Sequence, residues 1–141
     1  MGANEASERA VEASLNWLAA HQHARGYWQP IEATLGREPE KLNFGEGGGG
    51  VREQQLERER SGLQSESGLT ALAVLAFLGK GYTHEENVFA ENVDRALRWL
   101  VSQQDAQGFL GGKANRYARM YCHGMATIAL GEAYGMTRDR S

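Results

Sequence analysis

Residues 17–28 read WLAAHQHARGYW and residues 99–110 read WLVSQQDAQGFL. An offset of 82 matches Trp17 to Trp99, Leu18 to Leu100, Gln22 to Gln104 and Gly26 to Gly108, and upstream it matches Val11 to Val93 and Leu15 to Leu97. Val11, Leu15 and Leu18 are spaced by four and three, as are Val93, Leu97 and Leu100, which sets each group on one stripe of a helix. Glu8, Arg9, Glu12 and Asn16 fill the other side of the first, and Glu91, Asp94, Arg95 and Arg98 that of the second. Both stretches therefore predict amphipathic helices with a wet outer face.

A second repeated pair follows. SGLTALAVLAFLGKGYT from Ser67 aligns with HGMATIALGEAYGMT from His123 at an offset of 56, matching Gly68 to Gly124, Leu72 to Ile128, Ala73 to Ala129 and Gly79 to Gly135. Leu69 to Leu78 is apolar on nearly every side, so a helix there needs cover all round. These two segments predict inner helices, with Gly79 and Gly135 as left-handed terminators, Ser67 as a cap, and Thr83 with Glu86 as a capping box for the second outer helix. The fold class expected is all-α: two αα-hairpins in the order outer, inner, outer, inner, within a single domain over 1–141. Hairpin 1 spans 7–79 and hairpin 2 spans 84–135.

The two offsets differ by 26 residues, so the first hairpin carries an insertion, placed at about 36–62. The stretch between Trp28 and Ser67 holds both prolines, Pro30 and Pro39, with GEGGGG at 45–50 and the run VREQQLERER at 51–60. GEGGGG lacks the Gly-Lys-Ser/Thr ending of a phosphate loop and no strand precedes it, so it reads as a flexible linker. The charged run reads as a solvated surface.

At 141 residues a compact chain buries roughly 68–70% of its unfolded surface, enough for one core. A net charge of −3 supplies no attraction to nucleic acid, and no 18-residue apolar run marks a transmembrane segment. The single cysteine, Cys122, forms no intramolecular disulfide, and the acidic N-terminal region is unlike a signal peptide, so the expected setting is cytoplasmic. Gly2 and Ser7 only approximate a myristoylation pattern, with the hydroxyl at the wrong position.

Leu-x-Trp-Leu-x-x-x-Gln-x-x-x-Gly-x-Trp at 15–28 resembles the QW-type repeat of the squalene cyclase and protein prenyltransferase β-subunit superfamily. GLTALAVLAFLGKGYTH and MYCHGMATIALGEAYGMT are similar to bacterial prenyltransferase/squalene oxidase repeat proteins. The resemblance covers about 8–28, 67–110 and 121–137 and implies an α/α toroid. It implies a structural role for Trp17, Gln22, Gly26, Trp28, Trp99, Gln104 and Gly108, with Gln22 stacking on Trp28 and tying one hairpin to the next. In the second copy Leu110 stands at the Trp position, which removes that stacking partner from Gln104.

Among cyclases the resemblance implies a cavity aspartic acid that protonates an alkene. The chain has three aspartates, Asp94 on a wet face, Asp105 in a turn and Asp139 in the tail, and none fits an Asp-rich motif. Among prenyltransferases it implies zinc held by Asp, Cys and His. Cys122 and His123 are weak candidates, since Met120 replaces the Asp and adjacent helical residues point about 100° apart. Cys122 also reads as a small buried hydrophobe. His21, His23 and His84 share no ligand spacing and read as surface or capping residues.

No cofactor is implied, and catalytic residues stay unknown. Tyr121, His123 and Met125 on one inner helix, with Leu69 and Leu72 on the other, are the cavity-lining candidates for an apolar, isoprenoid-like ligand or a protein partner. A closed toroid takes about six hairpins, and repeat arrays usually need at least about three units. Two hairpins therefore predict an incomplete ring: a fragment of a longer protein, or a module that self-associates through open repeat edges. The function expected is a non-catalytic binding scaffold. The alternative is part of a terpene-cyclase or prenyltransferase-like enzyme whose catalytic groups lie in missing sequence or another subunit.

Overall fold

The structure, a computed structural model, describes residues 4–30, 62 and 64–139. It is all-helical, with α1 Glu5–Ala20, α2 Glu66–Gly79, α3 Ala90–Ser102 and α4 Arg119–Thr137, and no strand occurs among the described residues. The glycine tract and the charged run expected in the insertion lie outside the described residues.

The apolar α2 holds the centre, touching α1, α3 and, most extensively, α4. Ala71, Val74, Phe77 and Leu78 are buried, and the Phe77 ring lies 6.4 Å from that of Trp28 and 5.2 Å from that of Phe89. Burying a side chain of this size contributes roughly 1.5–3 kcal/mol. Close approach of α2 and α4 depends on Gly68, where an added Cβ would lie 3.0 Å from Cys122 Sγ. On α3 the expected stripe of Val93, Leu97 and Leu100 is buried, with Ala96 beside it. On α1 only Leu15 of the matching stripe is buried, while Val11 is exposed.

Helix ends differ from the sequence reading. Asn4 caps α1 in a reciprocal box, its side chain accepting from Ser7 N while Ser7 Oγ accepts from Asn4 N. The N-cap of α2 is Ser65, and Ser67 lies buried in the first turn. Thr83 and Glu86 form no capping box: α3 starts at Ala90, and Thr83 Oγ1 accepts from Glu85 N within the loop. Nor is either expected glycine left-handed. The chain turns at Gly81, φ +90°, two residues beyond Gly79, and α4 runs through Gly135 to end on Arg138, φ +61°. Helix α1 itself begins at Glu5 and α4 ends at Thr137.

Candidate functional site

The turns after α1 and α3 are built alike. His23 N donates to Tyr27 O and Gly26 N to His23 O; 82 residues on, Asp105 N donates to Phe109 O and Gly108 N to Asp105 O. Gly26 and Gly108 hold φ of +98° and +86°, values that favour glycine because it lacks a Cβ. Each turn is braced by its glutamine, Gln22 Nε2 donating to Gly26 O at 3.0 Å and Gln104 Nε2 to Gly108 O at 3.3 Å.

Beyond this the turns diverge. Gln22 Nε2 also donates to Asn92 O at 2.8 Å, and Gln22 Oε1 accepts from Asn92 Nδ2 and Arg95 Nη2, both at 2.8 Å. Gly26 packs so closely on Arg95 that a Cβ would collide with its backbone carbonyl. Tyr27 stacks on Trp99 with centroids 4.9 Å apart. The first turn thereby clasps the start of α3. Trp28 is buried, its indole donating to Leu18 O at 2.9 Å and its backbone N to Thr70 Oγ1 at 3.2 Å. In the second copy Leu110 N donates to His123 Nδ1 at 3.1 Å, and Phe109 stacks on His123 at 4.6 Å.

Among the described residues, two of the clefts beside the helices bear on the candidate residues. The first, about 290 Å³, is lined by Trp17, Leu18, Trp28, Leu69, Leu72 and Ala73, with His21 and Gln29 as its polar members. Trp17 stacks on His21 at 4.0 Å. The second cleft, about 340 Å³, combines Leu97, Val101, Leu130 and Tyr134 with polar groups from α3 and the end of α4. There His84 Nε2 meets Asp139 Oδ2 at 2.9 Å, and Arg98 Nε meets both carboxylate oxygens of Asp94 at 2.9 Å.

Of the cavity-lining candidates, Leu69 and Leu72 share the first cleft, whereas Tyr121, His123 and Met125 lie along α4 outside both clefts. Tyr121 is exposed, His123 is fixed on Phe109, and Met125 packs against the core. Burial beside Gly68 pushes the Cys122 thiol above its usual value. Among the described residues no group of three or more His, Cys, Asp and Glu is arranged to hold a metal ion.

Sequence reasoning missed the His84–Asp139 pair, which joins residues 55 apart through the packing of α4, and no local pattern announces it. It also missed two ties from α1 to the end of α2, Lys80 to Glu8 and Tyr82 Oη to Glu12, the latter at 2.8 Å. The hydrogen bond to Glu12 raises the Tyr82 pKa, and that to Glu8 raises the Lys80 pKa. No helix among the described residues is long and apolar enough to cross a membrane. The sequence matches no family model, and comparison with curated proteins and with solved structures finds no match.

Proposed function

We propose that the chain is a prenyltransferase/squalene oxidase repeat module, two neighbouring hairpins of an α/α toroid, that acts as a non-catalytic binding scaffold. The observation that carries this reading is the duplicated glutamine-braced turn, of which the first clasps the next helix pair. Such a turn is a device for joining units side by side, and repeat scaffolds bind through the surface that stacking creates. The aspartates also support binding over proton-transfer chemistry. Asp94 is paired with Arg98, Asp139 meets His84, and Asp105 accepts from Gln107 N and Phe109 N within its turn.

The first cleft favours a protein surface over an enclosed apolar ligand, because Trp17 and Leu72 line it and remain exposed instead of closing round a guest. The test joins binding to turnover. An environment-sensitive apolar dye should bind the native chain and lose most of its signal with Leu72→Glu, while squalene and farnesyl diphosphate return unchanged. Product formation that disappears with His123→Ala would overturn the scaffold reading and establish an enzyme.

A further inference from the structure

We infer that a second copy of this chain docks head to tail on the first, the α3–α4 end of one molecule receiving the α1–α2 end of the next. The contact would repeat the one by which α1 and α2 receive α3 and α4 inside the chain. The inference rests on the repeat-module reading and names the partner of the scaffold.

The internal contact serves as the template. The surface of the second helix pair that meets the first includes Trp99, under the Tyr27 ring, and the start of α3, held by Gln22. Val93 on α3 is 0% exposed, yet its repeat counterpart Val11 is 42% exposed, and Trp17, the counterpart of Trp99, is 50% exposed. The opposite end shows the same imbalance. Leu78 is 3% exposed and Ala19 packs on the core, whereas their counterparts Tyr134 and Val101 are 40% and 54% exposed.

The two clefts lie on these uncovered faces. Trp17, Leu18 and Trp28 of the first match Trp99, Leu100 and Leu110, and Leu97, Val101 and Tyr134 of the second match Leu15, Ala19 and Leu78. Three of these pairs differ in cover: Trp17, Val101 and Tyr134 are exposed while Trp99, Ala19 and Leu78 belong to or pack on the hydrophobic core; Leu18, Trp28 and Leu97 are in or against the core like their counterparts. At each end, therefore, exposed residues stand where the repeat covers their counterparts internally, Val11 and Trp17 at one and Val101 and Tyr134 at the other, whereas Leu72 and its counterpart Ile128 are both exposed.

The second turn is preformed for this contact. Gly108 holds the left-handed conformation, and a Cβ there would meet nothing within 4 Å except Gln104 Nε2 at 3.8 Å. By the repeat, Gln104 would reach the Ala10 carbonyl of the next copy, as Gln22 reaches that of Asn92. Ala10 and Ala13 stand where α3 has Asn92 and Arg95, so the contact between copies lacks their side-chain hydrogen bonds to glutamine Oε1. Association should accordingly be weaker than the internal contact and depend on concentration. Because the two surfaces differ, the contact is heterologous and closes into a ring only if its rotation permits.

The experiment uses Trp17→Glu and Val101→Glu, one charge on each exposed face, with circular dichroism to establish that both variants are folded. Light scattering should show wild-type mass rising above the 15.5 kDa monomer with concentration, and each variant alone should stay monomeric. Mixed in equal amounts, the variants should form a two-chain species, since each retains the face the other has lost. A wild type that stays monomeric at about 1 mM overturns the inference, as does a mixture that remains monomeric while the wild type assembles. A monomer that still binds the apolar dye leaves the scaffold reading standing, whereas one that forms His123-dependent product removes that reading too.

Discussion

The turns after α1 and α3 close with the same backbone hydrogen bonds, yet a Cβ added at Gly26 would collide with the Arg95 carbonyl while one added at Gly108 would meet only its own glutamine. Gln22 binds across to Asn92 and Arg95; Gln104 reaches no farther than Gly108 among the described residues. One local conformation thus occurs docked and undocked within one chain. The conformation is local in origin, whereas most of its energetic importance comes from the neighbour it holds.

That contrast predicts unequal costs for equal substitutions. Gly26→Ala meets both an unfavourable positive φ and a backbone collision, and should destabilise by about 3 kcal/mol or more in chemical denaturation. Gly108→Ala meets the φ cost alone, about 1 kcal/mol. Equal losses would break the comparison. Gln22→Ala removes the bonds to α3 and should cost about 1–2 kcal/mol, against about 0.5 kcal/mol or less for Gln104→Ala.

The smallest expected effect concerns pH. Tyr82 has a raised pKa in the folded chain, mainly from its hydrogen bond to Glu12. Its contribution is fully present below the unfolded tyrosine value near 10 and is lost as pH rises through the folded value. Tyr82→Phe should therefore flatten the alkaline fall in stability, and an unchanged profile would remove Tyr82 from it. Arg138 occupies the place in the second pair that Tyr82 holds in the first, and lies over the Tyr134 ring.

Much of the helical framework was legible because a stripe is a local signal: Leu15, Val93, Leu97 and Leu100 are buried where their spacing puts them. Val11 shares that spacing but is exposed, since periodicity identifies a face without saying whether a neighbour covers it. The tightness of Gly26 against Arg95 and the His84–Asp139 pair depend on how distant helices dock, which spacing does not encode. Gly79 and Gly135 misled for a related reason. A glycine terminates a helix only where the backbone turns left-handed, and here the turns fall at Gly81 and Arg138.

The close passage of α2 over α4 has a consequence for how this sequence can drift. Gly68 has no side chain where the Cys122 sulfur lies, so the two positions share one small volume. Replacing Gly68 with Ala alone would force the sulfur aside, and enlarging Cys122 alone would press on the α2 backbone. Lineages that preserve this seam should change the two sites together, a larger residue at one accompanied by a smaller one at the other.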